Sequence, residues 1–120
     1  MKIVDRICAW ILVLGGLLHG VGSYLGYKHE PMTMFWALNG TQLALLIAAV
    51  NLLRVARPGD RPLAWIAFAS SLAWAIGACV FGALMGNVFD PRALTHGLTA
   101  LALAAFSLKA ALAPSAAQGK

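Results

Sequence analysis

Charged side chains punctuate this chain at wide intervals, and residues 7–27, 31–53, 62–89 and 93–108 contain no Asp, Glu, Lys or Arg. The apolar residues inside these runs lack the strict alternation of half-buried strands, so each run reads as helix. A helix needs roughly 20 mostly apolar residues to cross about 30 Å of hydrocarbon. Three runs have that length, and the fourth reaches it if Lys109 snorkels. The pattern predicts helices over about 7–27, 34–53, 63–89 and 91–112. Turn formers separate them: Lys28-His29-Glu30-Pro31, then Arg57-Pro58-Gly59-Asp60-Arg61-Pro62, then Asp90-Pro91, an N-cap acid followed by proline at the first helical position. Connections this short make consecutive helices antiparallel neighbours. The expected fold is all-α: one integral membrane domain over 1–120, an up-down-up-down four-helix bundle, with a flexible tail at 113–120.

Composition narrows the function classes. Hydrophobic residues make up 61% of the chain and charged residues 11%, against about half and a quarter in an average soluble domain. A soluble enzyme is excluded by this balance. The net charge of +5 arises from few acids rather than from a basic patch, which excludes a nucleic-acid-binding domain. Basic residues also set the expected orientation. Lys2, Arg6, Arg54, Arg57, Arg61, Lys109 and Lys120 fall on one side of the predicted spans, Lys28 and Arg92 on the other. The richer side is cytoplasmic by the positive-inside rule, so both termini are expected inside a bacterial inner membrane. Lys2 and Arg6 ahead of an apolar run resemble a signal peptide, but the run is long and Asp5 interrupts the basic start, so a retained first helix is expected.

Small residues mark where helices approach one another. Gly16-x-x-x-Gly20 and Gly22-x-x-x-Gly26 in the first span, and Gly82-x-x-x-Gly86 in the third, fit the small-xxx-small pattern. They are expected to pack helices within one bundle, with a homodimer face as the alternative. Trp10, Tyr27, Trp36 and Trp65 lie near span ends and read as interfacial anchors, while Trp74 lies deeper. Cys8 and Cys79 fall too far apart along their spans to pair and read as small apolar core residues.

Candidate chemistry concentrates near the end of the bundle opposite the termini. His19 shares a helix face with Gly16, Gly20, Ser23 and Tyr27, and counts to about 12 Å below that boundary. His96, with Thr99 on its face, counts to about 6 Å below it. Ionisable groups at such depth are costly and mark candidate sites. Asn39 and Gln42 in the second span share a face and are placed to bond across to the first or fourth. These residues, His19, Ser23, Asn39, Gln42, His96 and Thr99, form the expected pocket; the alternative is a set of neutral imidazoles and amides serving helix association. Two histidines on different helices also raise a haem-binding redox subunit. His29, Met32 and Met34 gather soft ligands of the kind that suits Cu(I), but no repeated Met array accompanies them, and no metal is expected.

A glycine-rich first span, a short turn and an aromatic-plus-polar start to the second resemble, in architecture alone, the DoxX-like four-helix membrane proteins. The resemblance implies a membrane bundle and assigns no site residues. The length is also similar to that of the small multidrug-resistance transporters, but their first helix carries an embedded glutamate, and residues 7–27 here hold no acid. The function expected from these features is a non-enzymatic accessory or assembly subunit in contact with lipid and with other membrane proteins or a second copy. The alternatives are a small-solute or ion transporter or channel using the polar pocket, and the haem subunit using His19 and His96.

Overall fold

The computed structural model describes residues 2–114 and contains four helices: α1 (Lys2–Tyr27), α2 (Pro31–Ala56), α3 (Arg61–Leu84) and α4 (Pro91–Leu112). All four are long and apolar enough to cross a membrane. The expected flexible tail falls mostly on residues 115–120, outside the described residues.

Capping fixes where the helices begin. Pro31, Pro62 and Pro91 occupy first turns, where their missing N–H leaves nothing unbonded. Asp60 accepts a hydrogen bond from the Leu63 N–H at 3.0 Å, and Asp90 accepts one from the Arg92 N–H at 2.9 Å. Two boundaries differ from the sequence reading by five residues, while α2 runs three residues further at each end and α3 starts two residues earlier. α1 begins at Lys2, five residues before the charge-free run, because Asp5 continues the buried face of the helix instead of lying ahead of it. α3 ends at Leu84, five residues short of Phe89. Gly86 takes φ +71°, a left-handed conformation that only glycine adopts cheaply, and Asn87 N–H returns to the Gly82 carbonyl at 3.0 Å.

The helices form two antiparallel hairpins. Asp5 near the start of α1 meets Arg54 near the end of α2, and Arg61 at the start of α3 donates to the Ala111 carbonyl near the end of α4 at 3.1 Å. α3 packs most closely on α4 and α1 on α2; thinner α1–α4 and α2–α3 seams close the ring, and α1 and α3 lie across the diagonal. The start of α1, the end of α4 and the α2–α3 turn therefore share one end, called here the terminal end; the two hairpin turns form the far end.

Alanine makes the close packing possible. The buried positions of α3 are Ala64, Ala67, Ser71, Ala75, Ala78 and Gly82, and those of α4 include Ala93, Ala100, Ala104, Ser107 and Ala111. These recur at steps of three, four or seven residues, the spacing of a left-handed coiled coil, and small side chains at that spacing let backbones approach. Larger residues fill the centre, where Leu12, Ile47 and Leu103 join Ala9, Ala44 and Ala48, with Cys8, Leu52 and Trp74 packed against them. Cys79, expected in the core, is instead exposed on α3.

The glycine motifs divide. A Cβ on Gly16 would sit 3.2 Å from Leu45 Cδ2, and one on Gly20 only 3.0 Å from Thr41 Cγ2, so these two are contact points between α1 and α2. Gly22 and Gly26 are not: a Cβ at either meets nothing within 4 Å, because they face away from both neighbouring helices. Gly82 admits the returning turn, with Val88 Cα at 3.2 Å and Ala93 Cβ at 3.3 Å from its Cβ position, whereas Gly86 has nothing within 4 Å and serves as the helix stop.

Candidate functional site

Two polar clusters occupy the interior, one toward each end. The far cluster contains both expected histidines. His19 and His96 lie edge to face with ring centroids 6.2 Å apart, and Trp74 stands against His96 at 5.8 Å. Helix α1 thus supplies one imidazole, α4 the other and α3 the indole.

Hydrogen bonds fix the tautomers. A carbonyl oxygen only accepts, so the 3.2 Å contact of His19 Nε2 with the Ala37 oxygen makes Nε2 the protonated nitrogen. Trp74 Nε1–H donates to His96 Nδ1 at 3.3 Å, so Nδ1 carries the lone pair and a neutral His96 is protonated at Nε2. Two glycines create the space. The His96 ring lies 3.2 Å from where Gly15 would carry a Cβ, and His19 Nε2 lies 3.4 Å from the corresponding point of Gly40. Each ring is therefore seated against the backbone of a neighbouring helix.

The other expected pocket residues are arranged differently. Ser23 is buried on α1 and Thr99 half-buried one turn beyond His96. Asn39 donates to the Phe35 carbonyl at 2.8 Å within its own helix, not to an imidazole, and Gln42 is exposed. Their expected bonds across to α1 or α4 give way to local backbone bonding and to an outward-facing side chain. Thr41, between these two in sequence, carries a buried hydroxyl with no partner among the described residues. His29, Met32 and Met34 lie along the far turn and the start of α2, with His29 and Met32 exposed. Among the described residues, no group of three or more His, Cys, Asp or Glu is placed to hold a metal ion.

The second cluster was not anticipated as a unit. Arg54 grips Asp5 with both arms of its guanidinium, Nη1 to Oδ2 at 3.0 Å and Nη2 to Oδ1 at 2.6 Å, and the residues are only 6% and 7% exposed. Asn51, fully buried, lies one turn before Arg54. Its amide donates to the Ile47 carbonyl at 2.9 Å and to Ser71 Oγ at 2.8 Å; its oxygen accepts from Ser107 Oγ at 3.0 Å and from Arg54 Nη2 at 3.3 Å. All four helices contribute, and every link is direct. The bidentate geometry and the extra bond to Asn51 are what a desolvated ion pair requires.

Sequence reasoning placed Asp5 in an N-terminal lead and Arg54 at a membrane exit. Heptad spacing held the missing signal. Asp5, Ala9, Leu12 and Gly16 step by four, three and four residues along one face of α1, which carries the acid into the seam. Ser71 and Ser107 likewise interrupt alanine series at buried positions.

No family model matches the sequence, and no curated protein and no solved structure is significantly similar to it.

Proposed function

We propose that this chain is a non-enzymatic accessory or assembly subunit of a bacterial inner membrane, inserted with both termini in the cytoplasm. The observation that carries the reading is how the interior polar groups are used. Asn51 links Ser71, Ser107 and Arg54, and Arg54 closes on Asp5, so this buried chemistry is consumed in holding four helices together. The outer surface is rich in large apolar side chains such as Trp10, Leu18, Trp36, Ile66 and Leu84, suited to lipid and to the helices of other membrane proteins. The seven-to-two split of basic residues supports the orientation, with the terminal end inside.

The test is the state of the chain in its own membrane. Extraction in a mild detergent is expected to release it in an assembly larger than the purified bundle, and reporter fusions at Lys120 and within 28–31 are expected in opposite compartments. Release as a lone bundle would overturn the subunit reading, and an external C-terminus would overturn the orientation.

A small transporter is the second reading, favoured by the buried Thr41 hydroxyl beside Gly20, which has no partner among the described residues, and by the half-buried His19 and His96 on the same half of the bundle. It requires solute flux in proteoliposomes that falls on His96→Ala. The imidazoles are less suited to haem. Axial ligation needs a free lone pair on both rings: His19 could offer only Nδ1, since Nε2 donates to Ala37, while His96 presents Nδ1 to Trp74 and its other ring edge to Gly15. A Soret band in the purified protein would reverse that judgement.

A further inference from the structure

We infer that the cleft at the terminal end binds the phosphate group of an anionic membrane lipid. The inference rests on the membrane reading above and adds a ligand to it. A cavity of about 520 Å³ opens between the ends of the helices and the α2–α3 turn. Lys2, Arg61 and Lys109 stand around it, all exposed, while Val55, Phe106 and Ala110 give it an apolar wall. Asp5 also lines it, but its charge is matched by Arg54 at 2.6 Å, leaving Lys2 and Arg61 as cations beyond that pair.

Three features favour this ligand. Arg61 is held in place, since its Nε donates to the Ala111 carbonyl at 3.1 Å; the guanidinium is thus positioned at the cleft without being neutralised by that bond. Arg54 is a wall of the same cleft, and its buried Nε–H has no partner among the described residues, so the desolvated cation is incompletely compensated from within. The lining is also amphiphilic: cations beside apolar side chains match a headgroup phosphate next to its glycerol and acyl carbons better than they match a freely hydrated anion. Basic pockets between transmembrane helices are established receptors for anionic headgroups. Inorganic phosphate shares the recognised group, and the experiment separates the two sources.

The full chain is reconstituted in nanodiscs of mixed phosphatidylglycerol and phosphatidylcholine, and the lipid retained on gentle release is quantified by native mass spectrometry. Phosphatidylglycerol is expected to be retained in preference. Arg61→Gln and Lys2→Gln are each expected to cut that preference about fivefold, the factor equivalent to the ~1 kcal/mol that a basic residue near the surface contributes. Arg57→Gln removes an equal charge outside the cleft and is expected to leave the preference intact. Tryptophan fluorescence reports whether each variant is folded, and millimolar inorganic phosphate added to the wild type is expected to displace little lipid. Equal retention of the two lipids, or equal losses in Arg57→Gln and the cleft variants, would overturn the inference. Binding of inorganic phosphate with no lipid preference would overturn the lipid assignment. A chain that does not enter nanodiscs at all would instead overturn the membrane reading.

Discussion

Toward the terminal end, side chains from all four helices bond to one another through a charged pair and a carboxamide. Toward the far end, an indole bonds to one imidazole and the other imidazole bonds to backbone, and each cluster keeps one buried polar atom, Arg54 Nε or Thr41 Oγ1, with no partner among the described residues. Both clusters sit among alanine and glycine, so packing density does not distinguish them. Connectivity does. Asn51 reaches α3 and α4 from α2, and Arg54 reaches α1, so one residue pair ties the ring together. His19 ties α1 to α2 and Trp74 ties α3 to α4, and the hairpins meet at the far end through the edge-to-face imidazoles and through the His96 ring seated on the Gly15 backbone, without a side chain that bonds to three other helices. A polar group that bonds across several seams fixes the register of the whole bundle, whereas one that bonds along a single seam fixes only its own hairpin.

The sharpest way to break this contrast is Arg54→Met. Leaving Asp5 buried and unpaired is expected to cost about 3–5 kcal/mol, and adding Asp5→Leu should recover most of the loss, because the penalty comes from the orphaned charge. Equilibrium unfolding in mixed micelles measures both, and a double variant as unstable as the single would contradict the account. Asn51→Leu orphans two hydroxyls at once and is expected to cost about 3 kcal/mol in the same assay. At the far end, Gly20→Leu forces a side chain into Thr41 and is expected to lose about 2 kcal/mol. Gly22→Ala, on the open face of the same helix, should be neutral or stabilising by up to ~1 kcal/mol, as alanine is the better helix former. Trp74→Phe removes only the indole donor to His96 and is expected to cost about 1 kcal/mol.

The smallest effect is electrostatic. The Arg92 guanidinium beside Asp90 holds its carboxyl down to about 2, against an ordinary value of 3.8. Because the folded value is the lower one, this contribution is fully present above about pH 3.8 and is lost as pH falls through about 2. Amide exchange at the start of α4 should accelerate across that window, and Asp90→Asn should abolish the dependence.

Sequence and structure part company where burial depends on the neighbours of a helix. Four apolar runs broken by Pro, Gly and Asp are local signals, and the four helices lie on them. His19 and His96 were legible as a potential pair because each is an ionisable group inside a charge-free run. Asp5 and Arg54 were not, because each stands at the edge of such a run, where a charge ordinarily marks the limit of a span. Only the partner 49 positions away makes burial affordable. Gly86 shows the reverse error: its spacing from Gly82 matches a packing motif, but its positive φ makes it a helix stop. Spacing alone does not carry the sign of a dihedral angle.

The bond between Asp5 and Arg54 also bears on biosynthesis. Both residues belong to the first hairpin, complete in the nascent chain before α3 and α4 are made. Each charge alone would resist transfer into hydrocarbon, by up to about 3 kcal/mol at a span's centre on insertion scales and by less at the helix ends where these two stand. On the proposed membrane reading, the pair would enter the bilayer as one neutral unit, and the first hairpin would offer the second an Asn51 amide for Ser71 and an oxygen for Ser107. The contacts that set the register of the second half, from Ser71 and Ser107, thus converge on residues of the first half that are themselves joined by the Asp5–Arg54 pair.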